Sequence, residues 1–484
     1  MDAIEEATAV ALKLLESGRA AEAEQLCRLA VRERPGSAQA WFLLGTAVQL
    51  QGQPGQAVSP YEHAIAIDPA RLEALNNLGA ALCAIGRVDE SARRLEQAIA
   101  ARPEYAEAHN NLGNARQRQG RFADAIACYR RALELRPGYL DAHNNLGNAL
   151  RAAGRPDLAV ESYERALALS PEHPRVRLGR ALAWLQQGDY ARGWPEYEWR
   201  LKCPEHAIPS LPGPVWDGAP LDGRAILLYA DSGLGDALMF IRYAQDVAAR
   251  GGRVVVACRR PLARLFERSP GVARVVAEGE DLPPFAVHAP LMSLPRMLGA
   301  TEPAAADVVP YLAVDQVLVD RFGRDLEALA GRRIGIAWQG NPAFGRDSER
   351  SFRLEQFEPL ARVPGVRLVS LQKGAGTEQL AELGGRFEVF DFGTGIDDLA
   401  DTAAVMKNLE LVVAPDTALV HLAGGLGVPA WVALGVAPDW RWLLGRDQSP
   451  WYPRTRLFRQ QRWGDWHGVF ERMAREIAGV QGPG

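Results

Sequence analysis

Tyr105–Gly138 reads YAEAHNNLGNARQRQGRFADAIACYRRALELRPG, and this stretch of 34 residues is one copy of a pattern that fills the first two-fifths of the chain. Its Gly120 returns as Gly18, Gly52, Gly86, Gly154 and Gly188, and its Pro137 as Pro35, Pro69, Pro103 and Pro171. Gly113 returns as Gly45, Gly79 and Gly147, Ala132 as Ala30, Ala64, Ala98 and Ala166, and Tyr129 shares its register with Tyr61, Tyr163 and Tyr197. Two amphipathic helices per copy account for these positions. Gly113 and Ala132 let helix backbones pack closely, Gly120 ends the first helix, and Pro137 stops the second. One such pair cannot bury its own apolar face, so about six copies are expected to stack into a solenoid with a concave groove.

This period and these small residues match the tetratricopeptide repeat. The match implies an α-solenoid over residues 1–203. The last copy is atypical and reads GDYARGWPEYEWR from Gly188 to Arg200. Its Trp194, Tyr197 and Trp199 either cap the solenoid or join it to the next domain, and the two roles are compatible.

The chain's 484 residues exceed what one core accommodates. An apolar fraction of 48% and a charged fraction of 24% are ordinary for a folded protein. A net charge of −4 speaks against a general nucleic-acid or anionic-membrane binder. No apolar run reaches the ~18 residues of a membrane-spanning helix. Met1–Leu15 carries Asp2, Glu5 and Glu6 and has no basic region, so no secretory signal is expected. Five scattered cysteines without Cys-x-x-Cys spacing suggest neither a disulfide framework nor a zinc site, and a reducing cytoplasm is the expected compartment.

After a proline-rich linker (204–222) the pattern changes to short apolar runs alternating with helical segments, which indicates parallel sheets. Strands are expected at Ala225–Ala230, Arg253–Ala257, Ile334–Trp338, Val366–Gln372, near Val389, Leu409–Ala414 and Ala430–Leu434. Helices are expected at Ala237–Arg250, Pro261–Ser269, Leu354–Arg362, near Thr377–Leu383, Leu399–Lys407 and Thr417–Gly427. This alternation implies two Rossmann-like lobes, an N-terminal one over 223–325 and a C-terminal one over 326–484. Ligands of such folds bind outside the carboxyl ends of the strands, which puts a site in the cleft between them.

Three stretches carry chemistry. In VVAPDTALVHLAGGLGVP (Val412–Pro429), Asp416 and Thr417 stand where a strand turns into a helix, and the free N–H groups there suit an anion. His421 lies on the same helix face. The plain alternative is an N-cap aspartate and a buried histidine. In SGLGD (Ser232–Asp236), Asp236 stands where it would cap a helix starting at Ala237. A dinucleotide fingerprint is not met, because the third glycine is missing and the next strand ends in Cys258-Arg259-Arg260 without an acid. In IAWQGNPAFGRDSERSFRLEQF (Ile336–Phe357), Arg346, Arg350 and Arg353 stand on a glycine-containing loop, either solvated or able to hold an anion in bidentate fashion. Gln339, Asn341, Gln372 and Lys373 could line the same pocket. Trp440 and Trp442 either stack on a nucleobase or pack the C-terminal segment. No Asp-x-Asp metal motif occurs.

PDTALVHLAGGLGVP resembles the donor-binding motif of heptosyltransferase-like glycosyltransferases of the GT-B type, with Ala418 where the family usually has glycine. SGLGD resembles the loop that carries their proposed base. The resemblance implies a nucleotide-sugar donor held by Gln339, Asn341, Arg350, Gln372, Asp416, Thr417 and His421, with the donor in the C-terminal lobe, the acceptor in the N-terminal lobe, and Asp236 as the catalytic base. Repeats joined to such a region resemble the O-GlcNAc transferase and flagellin glycosyltransferase architectures. In the former, asparagines along the groove hold a peptide, and NNLG recurs here with Asn77, Asn111 and Asn145 as candidate acceptor-binding residues. Asparagine is otherwise simply common at that position. The expected protein is a metal-independent, inverting glycosyltransferase that needs no cofactor and modifies a protein acceptor, flagellin among the candidates. A non-catalytic adaptor and a transferase acting on a glycolipid are the competing readings.

Overall fold

The computed structural model describes residues 3–206, 209–303, 309–345 and 347–479. The chain divides into two compact units, residues 1–180 and 181–484.

The first unit is a tetratricopeptide-repeat solenoid of paired helices. They are α1 (Ala3–Glu16), α2 (Ala20–Glu33), α3 (Ala38–Leu50), α4 (Pro54–Ile67), α5 (Leu72–Ala84), α6 (Val88–Ala101), α7 (Ala106–Arg118), α8 (Phe122–Leu135), α9 (Leu140–Ala152) and α10 (Pro156–Leu169). Next comes α11 (Pro174–Gln187), which crosses the division, and then α12 (Tyr190–Tyr197).

The repeated glycine ends each first helix in the left-handed conformation, with φ of +73° at Gly120 and +82° at Gly188. Around it the Arg121 N–H donates to the Arg116 carbonyl at 2.9 Å and the Gly120 N–H to that of Gln117 at 2.9 Å, the two bonds of a Schellman cap. The other glycine makes room for the facing helix. A Cβ on Gly113 would stand 2.5 Å from the Tyr129 ring, and Gly45 and Gly147 face Tyr61 and Tyr163 in the same way. In the remaining copy Leu95 takes the tyrosine's place against Gly79. The turn between copies is also tied. Trp41, His109, His143 and Arg177 each bond the carbonyl of the proline six residues back, at 2.8–2.9 Å.

The second unit holds two parallel sheets. The N-terminal lobe comprises β1 (Ala225–Tyr229), α13 (Leu234–Phe240), α14 (Ala244–Ala249), β2 (Arg253–Cys258), α15 (Ala263–Phe266), β3 (Val272–Ala277), β4 (Val287–Pro290) and α16 (Leu294–Leu298). Its strand order is β3-β2-β1-β4. Then come α17 (Gln316–Leu326), β5 (Arg332–Ile336), α18 (Glu358–Ala361), β6 (Val366–Ser370), α19 (Gln379–Glu382), β7 (Phe390–Asp391), α20 (Leu399–Met406), β8 (Leu411–Pro415), α21 (Ala418–Gly425), β9 (Ala430–Leu434), β10 (Thr455–Arg459) and α22 (Trp466–Gly479).

The second sheet runs β10-β9-β8-β5-β6-β7. Counted from β5 this is the 3-2-1-4-5-6 order of a dinucleotide-type fold, and the first sheet repeats its 3-2-1-4 part. Strands such as β8 and β9 are buried along their whole length, as parallel strands covered on both faces must be.

Three boundaries differ from the sequence reading. The division falls inside α11 rather than at 203, because Tyr190, Trp194 and Tyr197 pack with the α/β part. Trp194 lies edge-on to Trp440 at 5.3 Å and to Phe240 at 6.1 Å, so these aromatics belong to the core of the α/β unit. The stretch 204–222 is partly built into the first lobe: Trp216 is buried, and its N–H donates to the His288 carbonyl at 2.8 Å. Helix α17 packs on α20, so the second lobe starts before residue 326.

Candidate functional site

Reversal of strand order in a parallel sheet leaves a crevice between the two strands that diverge. Here those strands are β1 with β4 and β5 with β8. The three stretches singled out by sequence come after β1, β5 and β8. They line one cleft of about 1780 Å³. That exceeds the ~300–1,000 Å³ of an ordinary small-molecule site.

Helices α13 and α21 meet in this cleft. Gly235 permits it: a Cβ there would stand 3.0 Å from His421 Cδ2 and 3.5 Å from Ala418 Cα. The N-terminal turns of two helices, one from each lobe, therefore meet, and the first N–H groups of a helix have no partner further along it.

Helix α13 begins at Leu234, with Gly233 as N-cap, which corrects the expected start at Ala237. Asp236 thus sits in the first turn. Its Oδ2 accepts the Gly233 N–H at 3.2 Å, and its Oδ1 accepts from Arg441 Nη2. Burial pushes its carboxyl above the usual range, Arg441 pulls it back, and Asp439 adds to the rise. The loop ahead of it is braced by Asp231, which takes Arg200 Nη2 at 2.9 Å. Arg200 is fully buried, in the turn after α12.

Thr417, not Asp416, is the N-cap of α21, yet its Oγ1 caps nothing and is buried without a partner. Asp416 instead turns its Oδ1 toward His421 Nε2 at 3.9 Å. Burial and the nearby Asp439 push the Asp416 carboxyl up to about 6, against the pull of Arg441, the Trp442 indole and Arg350. His421 Nδ1 bonds the Tyr452 hydroxyl at 2.9 Å, and its ring stacks on Trp442 at 5.4 Å. Burial, with Arg441, Arg242 and Arg350 around it, holds this imidazole well below its ordinary value and therefore neutral.

Of the three candidate cations, Arg350 reaches the site. Its Nη1 donates to the Asp416 carbonyl at 2.7 Å and its Nε to Asp347 at 3.0 Å. Arg353 pairs with Glu382 at 2.7 Å on the surface, and Arg346 lies outside the described residues. Gln339 and Asn341 line the cleft, Asn341 exposed and closing a turn by accepting the Ala343 N–H at 3.0 Å.

Gln372 corrects the sequence reading. Its Oε1 accepts the N–H groups of Trp338 and Gln339 at 3.0 and 3.1 Å. Its Nε2 donates to the carbonyls of Gln339 and Ala375 at 3.0 and 2.8 Å. With every position of the amide filled, it braces the ends of β5 and β6 and has nothing left for a ligand. Lys373 is likewise tied to the carbonyls of Ile396 and Asp397. Trp440 and Trp442 are buried, Trp440 packed among Trp194, Tyr197 and Trp451 and Trp442 stacked on His421.

Asn77, Asn111 and Asn145 lie on α5, α7 and α9, which touch one another from copy to copy. Asn145 Nδ2 donates to Asn110 Oδ1 at 3.0 Å, Asn111 Nδ2 to Asn76 Oδ1 at 2.8 Å, and Asn76 Nδ2 to Asn77 Oδ1 at 3.1 Å. The row exists, and part of its capacity is spent inside the solenoid.

Sequence reasoning passed over Arg441, Asp439 and Tyr452. The signal was present, since PDWRW comes after the carboxyl end of β9, but four aromatics drew the reading away from the arginine between two of them. Among the described residues no group of three or more His, Cys, Asp or Glu side chains is placed to hold a metal, and no helix is long and apolar enough to cross a membrane.

Tetratricopeptide-repeat family models match residues 9–72, 79–120 and 104–172. Protein FlbA of Caulobacter vibrioides is 31% identical over 333 residues, which take in 62% of this chain and 54% of FlbA. The chain thus spans about half the length of that curated relative, and since the repeat helices end at Tyr197 the match runs on into the α/β region. Similar solved structures include a thermophilic tetratricopeptide-repeat protein of Thermus thermophilus, at 24% identity and a TM-score of 0.34, covering 38% of this chain and 100% of that one. Another is pilF of Pseudomonas aeruginosa, at 22% identity and a TM-score of 0.36, covering 41% and 91%.

Proposed function

We propose that the α/β unit is an inverting, nucleotide-sugar-dependent glycosyltransferase and that the repeats recruit its acceptor, a protein hydroxyl, in the cytoplasm. The observation that carries this reading is the convergence of α13 and α21 in one cleft, with a carboxylate on the first helix and Arg350 beside the start of the second. In this reading the donor's diphosphate lies at the N-terminus of α21. The free N–H groups there, the orphaned Thr417 hydroxyl, neutral His421 and Arg350 share its charge. Asp236 accepts the proton of the acceptor hydroxyl as that oxygen bonds the anomeric carbon and the bond to the leaving phosphate breaks. A single displacement inverts the configuration. Arg350 and the helix dipole take up the charge of the departing diphosphate.

The test is a panel of uridine, guanosine, adenosine and cytidine diphosphates and their sugars, read by thermal shift and by release of nucleoside diphosphate. A bound donor at a hundred times its dissociation constant stabilises the fold by about 2.7 kcal/mol. One base is expected to raise the melting temperature and its sugar to be turned over. Indifference to all four would replace this reading with that of a non-catalytic adaptor. Turnover with transfer to a glycolipid but to no protein would reassign the acceptor.

A further inference from the structure

Arg441 belongs to the second lobe and Asp236 to the first, and their ion pair ties the segment after β9 to the opening turn of α13. We propose that Arg441 is the positioning residue for Asp236, fixing the carboxylate toward the acceptor hydroxyl and completing the base when the two lobes are together. This rests on the transferase reading above.

The guanidinium is built in place before it reaches across. It lies 4.4 Å over the Trp440 ring, which is itself held among Trp194, Tyr197 and Trp451. Its Nη1 is on Asp439 at 2.5 Å, and the same Asp439 oxygen accepts the Arg441 backbone N–H at 3.1 Å. Nη2 then meets Asp236. A planar fork can serve two carboxylates in this way, whereas an ammonium is a point charge.

On the other side, the Gly233 N–H holds Oδ2 while Arg441 holds Oδ1, so both oxygens are fixed and the rotamer with them. Each oxygen keeps a second lone pair, enough to accept a proton from a hydroxyl. Among the described residues, the charged and titratable groups facing Asp236 are Arg441 and Asp439 from the segment after β9, Asp231 from its own loop and Tyr197 from α12. Arg441 is the cation among them. Without it a half-buried carboxylate would face two others, and its charged form would be disfavoured.

The test uses the full chain with Arg441→Gln and, should that variant fold poorly, Arg441→Lys. Thermal unfolding is followed against pH in pairs with and without Asp236→Asn, so that the difference within each pair titrates Asp236. Burial holds this carboxyl above its unfolded value. The difference therefore changes between the unfolded and folded values and levels off above the latter. Loss of the guanidinium should carry that level upward by about one pH unit or more. The acid limb of the transfer rate should move with it, and Lys should restore part of the shift. An unchanged titration, or a rate lowered equally at every pH, overturns the proposal and leaves Arg441 a structural clamp. A shifted titration in a chain that turns over no nucleotide sugar also overturns it, but by removing the transferase reading and leaving only an ion pair between lobes.

Discussion

Gly340 has no room for a side chain. A Cβ there would stand inside the Asp347 carboxylate and 2.8 Å from Arg350 Nη2, so the pair that aims Arg350 at the Asp416 carbonyl depends on this glycine. Gly340→Ala should displace Arg350 and weaken nucleoside diphosphate binding by about 1.5–3 kcal/mol, the worth of a charge-assisted hydrogen bond. Calorimetry checks it, with Arg350→Ala as the reference: the two losses should be similar, and unaltered affinity in both would place the phosphate elsewhere. Asp416 gives a second, pH-dependent expectation. Its folded carboxyl titrates at about 6, above the unfolded value, so its charge destabilises the fold at neutral pH and that cost fades as the pH falls through 6 toward 4. Asp416→Asn should therefore raise stability at pH 7.5, by up to about 3 kcal/mol, and give no gain near pH 4. Chemical denaturation at several pH values reads it, and a gain that grows in acid would refute the assignment. The sequence showed that Asp416 and His421 stand at a strand-to-helix corner. It could not show the Tyr452 hydroxyl that bonds His421, because that partner lies 31 residues away on a loop with no period of its own.

At the scale of elements, the repeat was legible almost to the residue, because each marked position answers to one steric demand that recurs at a fixed step. Gly113 is the sharpest case. A methyl group there meets the Tyr129 ring at 2.5 Å, and that ring is fully buried with its hydroxyl donating to Asn114 at 2.7 Å. Gly113→Ala should destabilise the solenoid by about 1–3 kcal/mol through overpacking. Gly138→Ala, where nothing lies within 4 Å of the added carbon, should stay within about 0.5 kcal/mol. Equal melting temperatures would show that the second helix shifts to accommodate the methyl. The α/β part was less legible. The apolar runs of β1, β8 and β9 announce buried parallel strands. Strand β3 reads VARVVA, with an exposed arginine, and β4 is four residues long and ends in proline, so neither offers a run that stands out. The expected helix over Ala237–Arg250 is broken by a tight turn at Ile241–Tyr243. There Arg242 is buried among Tyr311, Trp451 and Tyr452, a tertiary demand that no local pattern announces.

For the whole molecule, the question is whether recognition and chemistry are divided between the two units. Changing Asn77, Asn111 and Asn145 together to Ala removes amides that are half-exposed along the first helices and available to a peptide backbone. The same change also breaks the bonds to buried Asn76 and Asn110, at about 1 kcal/mol each. A loss of transfer by itself would therefore be ambiguous, because a loosened solenoid would bind any acceptor less well. Gly113→Ala resolves the ambiguity. It weakens the same stack by a comparable amount while leaving every asparagine in place. With protein acceptor, the triple variant should lose roughly a hundredfold in transfer if three bonds of about 1 kcal/mol add, while Gly113→Ala at a matched melting temperature keeps most of it. Nucleoside diphosphate affinity and donor hydrolysis should be normal in both, since the donor groups lie in the other unit. Equal losses in the two variants would assign the asparagines to the solenoid's own cohesion. A fall in donor hydrolysis alongside transfer would mean that the units do not act separately, and that the integrity of the repeats sets the geometry of the cleft.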